Sequence, residues 1–206
     1  KDAPPPIITI SRQTGSRGSY FASRLALKLD YQRINGQVVD AICASTGYQR
    51  RIVESLDEHY RSRLEVLVES AITGRTVDSS DYTRHLCKVV LSMARLGGVV
   101  LVGRGGNFIL GPHQGLHLRF IAPKERRIHN LMAYKGLSII DAEETIDESD
   151  RRRREFVGKV FGADIDDPRH YDVVINADYI DIEELVEAVV VAYHGKCDKL
   201  ANLEND

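Results

Sequence analysis

Glycine, serine and arginine recur at three places where they could hold an anion. The run Thr14–Ser19 lies between the β-branched segment Ile7, Ile8 and Ile10 and apolar residues at helical spacing, Phe21, Ala22, Leu25, Ala26 and Leu29. A loop between a buried strand and a helix offers backbone N–H groups and the positive end of a helix dipole, and glycines let that backbone close on a phosphate. Gly15, Ser16 and Gly18 fit that role, although the same residues would serve a plain strand-to-helix turn. A second loop, Gly103–Asn107, follows the apolar run Val99–Val102 and sets Arg104 between two glycines, where its side chain would project into the crevice at the strand ends. The third place is basic throughout: Arg126, Arg127 and Arg151 to Arg154. These could meet phosphate, or the last four could form a solvated helix face paired with Glu144, Asp147, Glu148 and Glu155.

Loops of this kind need elements to hold them, and the apolar pattern supplies an alternating series. After the first strand, loop and helix, Tyr31 to Ile34 reads as a short strand, and Val38, Val39, Ile42 and Cys43 as a helix ended by Gly47. Tyr48 to Thr73 reads as helical pieces rich in exposed charge. Thr83–Leu96 is a helix stopped by Gly97 and Gly98, Val99–Val102 a buried strand, and Leu116–Ala122 a further strand closed by Pro123. A basic helix runs through Ile128, Leu131 and Met132 to Gly136, and Ser138 with Asp141 has the spacing of a helix cap before a charged helix that runs past Arg154. Asp172–Ile175 is the last strand, and a helix carrying Leu185, Val186, Val189 and Val190 covers the sheet. Strands alternating with helices predict an α/β fold, a parallel sheet covered on both faces that binds ligands beyond its carboxyl ends.

With 206 residues and 43% hydrophobic content, the chain predicts one core domain over 7–206, with Lys1 to Pro6 as an extended, disordered tail. Apolar runs such as Val186 to Ala192 are far shorter than a bilayer-crossing helix, which takes about 20 residues. A cytoplasmic protein without a membrane partner is therefore expected. Cys43, Cys87 and Cys197 lack any metal-ligand spacing and read as free thiols. A formal net charge of -2, with acids interleaved among the arginines, argues against a nucleic-acid partner. His113 and His117 sit among Gly111, Pro112 and Gly115, which excludes the helix-borne pair of a zinc hydrolase.

Taken together, Ile8-Thr-Ile-Ser-Arg-Gln-Thr-Gly-Ser through Ser16, Val102-Gly-Arg-Gly through Gly105, Asp150 to Arg153, and Asp172-Val-Val-Ile-Asn through Asn176 resemble the cytidylate kinase-like family, a divergent branch of the nucleoside monophosphate kinases. The resemblance implies a three-layer P-loop NTPase fold with a five-stranded parallel sheet, a helical monophosphate-binding insertion at 35–80 and an arginine-rich lid at 137–168. It implies phosphoryl transfer from ATP, with Mg2+, to a nucleoside monophosphate such as CMP. Gly15, Ser16, Arg17, Gly18, Ser19 and Tyr20 would form the nucleotide loop, Asn35 and Arg104 would meet the acceptor, and Arg153 would act from the lid.

The chain departs from the pattern G-x-x-x-x-G-K-[ST]: Arg12 and Arg17 stand for the glycines, Gly18 for the lysine and Tyr20 for a threonine. Arg12 or Arg17 is expected to replace the lost cation, and Ser19 to offer the metal-directed hydroxyl in a register shifted by one. Gly105 stands where those kinases carry an aspartate. A non-catalytic nucleotide-binding or sensor domain is the alternative, and a homodimer through Tyr48 to Thr73 is left open.

Overall fold

Ile7, Ile8 and Ile10 are β-branched and wholly buried, and they place the first strand, β1 (Ile7–Arg12), in the middle of the sheet. The computed structural model describes residues 5–44 and 81–203. After β1 come α1 (Gly18–Leu29), β2 (Gln32–Asn35), α2 (Gly36–Ala44), α3 (Asp81–Leu96), β3 (Val99–Val102) and α4 (Gly106–Leu110). They are followed by β4 (Gly115–Ile121), α5 (Lys124–Lys135), α6 (Ile139–Phe161), β5 (Val173–Asn176) and α7 (Ile182–Leu203). The expected helices between Tyr48 and Thr73, their dimer face and the greater part of the 35–80 insertion lie outside the described residues.

All five strands pair in parallel in the order β2-β3-β1-β4-β5, as the alternating pattern predicts. Side chains of a strand alternate between its faces. Ile8 and Ile10 therefore join Val100, Val102, Leu118 and Phe120 under α1 and α7, while Ile7 and Leu101 pack with α2, α3 and α4 on the other side. Covering both faces explains why every residue of Val99–Val102 is buried and why that run shows no polar alternation. β3 coincides with its expected run, and β2, β4 and β5 are each offset by one residue from theirs. Helix α4 leaves no signal in the sequence, since its five residues are too few to show a helical period.

Caps behave as their residues dictate. Ser138 caps α6, its Oγ accepting the Asp141 N–H at 3.2 Å and donating to the Asp141 carboxylate at 2.7 Å. That is the spacing read in the sequence. Of the expected tail, Lys1–Pro4 lies outside the described residues, and the Pro6 carbonyl accepts the Tyr193 hydroxyl at 2.7 Å. Cys87 and Cys197 are free thiols, as expected. Among the described residues no helix is long and apolar enough to cross a membrane.

One polar pair is buried in the sheet. The Thr9 hydroxyl lies 2.7 Å from Nδ1 of His117, whose Nε2 faces the Gly111 carbonyl at 2.8 Å. A carbonyl can only accept, so Nε2 carries the proton and Nδ1 accepts from Thr9. Burial pushes the imidazole pKa below its ordinary value. The folded state then binds this proton less readily than the unfolded chain, so the histidine's contribution is complete above the unfolded pKa of about 6.5 and declines as pH falls below it. Urea midpoints are expected to drop between pH 7 and pH 5, and to drop less in His117→Asn than in the parent.

Candidate active site

The loop after β1 is closed by its own side chains. Gln13 donates its N–H to the Phe120 carbonyl (3.0 Å), and both the N–H (3.3 Å) and Oγ (2.9 Å) of Ser16 turn inward onto the Gln13 carbonyl. Ser16 is thus buried and shapes the turn rather than facing the crevice. Gly15 is left-handed (φ 81°), and a Cβ there would lie 2.6 Å from the Arg127 carbonyl oxygen. At Gly18 a Cβ would lie 2.8 Å from the Arg12 Cβ and 2.9 Å from that of Phe120. A lysine has no room at that position. Arg17 takes a left-handed conformation (φ 65°) at the start of α1, and its guanidinium lies over the Tyr20 ring at 5.5 Å. For a non-glycine residue that conformation costs about 1 kcal/mol.

Two helices hold this loop from outside. Asn130 of α5 donates to the Gly15 carbonyl at 2.8 Å, and Arg127, one turn earlier on the same face, donates to the Thr14 carbonyl at 3.3 Å. Asp150 of α6 accepts the Thr14 N–H at 3.1 Å and pairs with both Arg127 and Arg153. The Thr14 hydroxyl donates to Ser149 (2.8 Å) and accepts from Arg153 (2.5 Å). Only 9% of the Arg127 side chain and 11% of the Asp150 side chain are exposed. These charges therefore compensate one another away from water.

Arg127, one of the basic residues expected to meet phosphate, instead braces the loop from beneath. Asn130 carries no motif of its own, although its spacing of three from Arg127 places both on one helix face. The solvated-face reading of 151–154 fits Arg151 and Arg152, which form exposed pairs with Glu155 and Glu148, and Arg154, which reaches Asp166. Arg153 departs from its neighbours and turns inward to Thr14.

Arg12 runs from the end of β1 beneath Gly18 to Gly103, where its Nη1 lies 2.9 Å from the site of an added Cβ. Its Nε is buried without a partner, and among the described residues no carboxylate pairs with it. Burial, then the charges of Arg153, Arg33, Arg104 and Arg119, lower its pKa to about 10, which leaves it charged at neutral pH. Arg119 is a further buried guanidinium, hidden from sequence reasoning by its place in an apolar strand; it donates to Ser11 (2.7 Å) and Asp166 (2.5 Å).

On the opposite side of the crevice Gly103, Arg104 and Gly105 are all left-handed. Arg104 is held by two hydrogen bonds to the Asp40 carboxylate, which also accepts the Tyr82 hydroxyl at 2.8 Å. The Arg104 guanidinium lies 5.9 Å from the Phe156 ring centre. A Cβ at Gly105 would lie 2.2 Å from Phe161, whose ring stacks on Phe108 at 5.2 Å. The space beside Gly105 is therefore filled by an aromatic ring. Asn35 caps α2, accepting the Val38 N–H at 3.1 Å, at a strand end paired with Val102 beside this loop.

A cavity of about 690 Å³ opens over the phosphate loop. Arg12, Arg17, Arg153 and Lys135 line it, with Tyr20 and Tyr134 at its mouth and no acidic residue among those described. Four cations facing one space suit a polyanion. No cluster of three metal-ligating side chains occurs among the described residues. Among the described residues the exposed Ser19 is the aliphatic hydroxyl left on the cavity wall, Thr14 being engaged, so the oxygen donors suit a hard ion carried largely on phosphate oxygens.

The Asp150 network yields a stability prediction. Asp150→Asn leaves Arg127 buried and uncompensated, and the cost expected for a broken buried pair is roughly 3–5 kcal/mol. Chemical denaturation should return a loss of that order, and a smaller one when Arg127→Met is added.

Comparison with known proteins extends this geometry. The family model described as cytidylate kinase-like matches residues 7–179. A cytidylate kinase of Ignicoccus hospitalis is 25% identical over 183 residues, covering 89% of this chain and 96% of that protein. A uronate isomerase of Corynebacterium glutamicum is 33% identical over 129 residues, but this match takes 62% of the chain and spans only 25% of that protein's length. An uncharacterized protein of Eubacterium ventriosum shares the fold with a TM-score of 0.73 at 18% identity, covering 92% of this chain and 98% of that one. A gluconokinase of Sinorhizobium meliloti shares it with a TM-score of 0.54 at 14% identity, covering 98% of this chain and 99% of that one. The family match begins at the first residue of β1 and ends just beyond β5, so it takes in the whole sheet and both loops, and the chain belongs to the cytidylate kinase-like family.

Proposed function

We propose that this chain transfers the γ-phosphoryl group of ATP to a nucleoside monophosphate of the CMP type. The observation that carries the reading is the position of Arg12: an unpaired guanidinium that starts beneath the phosphate loop and ends against Gly103 of the acceptor loop. Charge on a transferring phosphoryl group develops between donor and acceptor, where a preorganised cation acts most strongly. The family and the basic cavity support the same assignment.

In this scheme the amides of Gly15 and of Arg17 to Ser19 face the donor phosphates while Ser16 holds the turn, and Arg17 with Arg12 supplies the positive charge that Gly18 cannot carry. Ser19 offers its hydroxyl to Mg2+. Counted from Arg12 as the first position of G-x-x-x-x-G-K-[ST], Ser19 is the eighth, so it needs no shift of register. Magnesium, when bound, neutralises phosphate charge and orients the chain. Arg104 meets the acceptor phosphate by exchanging the Asp40 carboxylate for phosphate oxygens, and Asn35 lies beside it. Arg153, oriented by Asp150, faces the group in flight. The terminal P–O bond of ATP breaks as a bond forms from phosphorus to an acceptor phosphate oxygen, ADP leaves, and a nucleoside diphosphate results. A cytoplasmic setting, where ATP is available, accords with this reading.

The second reading, a nucleotide sensor without transfer, draws on the Asp40 clamp over Arg104 and on the exclusion of lysine at Gly18. A coupled assay with ATP-magnesium against a panel of nucleoside monophosphates separates the two. Turnover is expected with a pyrimidine monophosphate, and Arg12→Ala should lower kcat by about 100-fold or more, as loss of one preorganised charge donor does. ATP binding with no turnover of any acceptor would select the sensor.

A further inference from the structure

The cavity over the phosphate loop has two chemically different ends. Its inner end is cationic, with Arg12 and Arg153 beside Thr14 and Gly18. Its outer end is aromatic: Tyr20, from the first turn of α1, is 49% exposed, and Tyr134, from the last turn of α5, is 67% exposed. Arg17 already covers Tyr20 from 5.5 Å, which restrains that ring, and the buried Leu131 lies on the same wall as Tyr134. A ligand that matches both ends carries a polyanion and a flat ring.

Recognition of one particular base requires a fixed pair of hydrogen-bonding groups, which amide side chains supply best. Two amides line this cavity, and each is anchored through one of its polar atoms to the main chain of the loop end, away from the aromatic end. Gln13 accepts the Ala122 N–H through Oε1 at 3.1 Å, and Asn130 donates through Nδ2 to the Gly15 carbonyl at 2.8 Å. What remains at the aromatic end is the Lys135 ammonium and two phenol hydroxyls that rotate to donate or accept. Such a surface holds a base by its faces. Stacking is tolerant of sequence because every base has a π-face.

We propose that Tyr134, with Tyr20, forms the subsite for the base of the phosphoryl donor and grips it by stacking alone, so that guanosine and adenosine triphosphates serve alike. This rests on the cavity being the donor site, as proposed above, and adds to it the part of the ligand that no phosphate contact reaches. Tyr134 is a binding residue in this assignment; it takes no part in the transfer.

Titration calorimetry with ATP, GTP and inorganic tripolyphosphate, each with magnesium, tests it on the full chain. ATP and GTP are expected to bind within about threefold of each other. Tyr134→Ala should weaken both by about fivefold or more, the lower end of what loss of one stacking ring costs, and leave tripolyphosphate unchanged. Tyr134→Phe should retain parental affinity for all three. A preference above about tenfold for one purine, or a Tyr134→Ala protein that binds ATP as the parent does, overturns the stacking subsite while the phosphate loop stands. Failure of tripolyphosphate and nucleotides alike to bind overturns the donor site itself, and the subsite with it.

Discussion

A carboxylate held away from water between two guanidinium groups and a loop amide organises the upper half of this molecule. Asp150 takes the Thr14 N–H, Arg127 and Arg153 together. Its charge would be costly to bury alone, and so would that of Arg127 without it. Because its partners come from the first loop, from α5 and from α6, the arrangement forms only when all three have reached their places. Formation of the loop is thereby tied to the packing of the long helix.

That helix does more than cover the crevice. Along α6, Ser149, Asp150 and Arg153 address the phosphate loop, while Phe156 lies near Arg104 and Phe161 fills the space over Gly105. One rigid element of 23 residues therefore touches both loops that face each other across the sheet's carboxyl edge. A displacement of α6 would be felt at both loops together. The polar turns midway along it and the aromatic ones at its end divide the two tasks.

Much of the sheet is readable because burial on two faces leaves an unmistakable mark: Val99–Val102 and the Ile7–Ile10 run could hardly be anything but central strands. The loop at Gly15 to Ser19 and the crevice arginine at 104 are also legible, since strand–glycine–helix order determines where they lie. Other features depend on partners remote in sequence. Arg127 is 113 residues from the Thr14 carbonyl that it supports, and Asn130 is 115 from the Gly15 carbonyl. Arg119 sits in an apolar strand with no local pattern to announce it, and its partner Asp166 is 47 residues away. The family resemblance sets Asn35 at the acceptor, and only the folded chain shows its oxygen engaged in capping α2.

The tight wedge of Gly18 between Arg12 and Phe120 limits what substitution can do at this loop. A lysine introduced at this one codon would meet two occupied Cβ positions. Every residue but glycine carries a Cβ, so exchanging Arg12 or Phe120 for another side chain would not clear the way. Paths through sequence space that keep this packing therefore hold position 18 at glycine, for steric reasons rather than for reasons of cation chemistry.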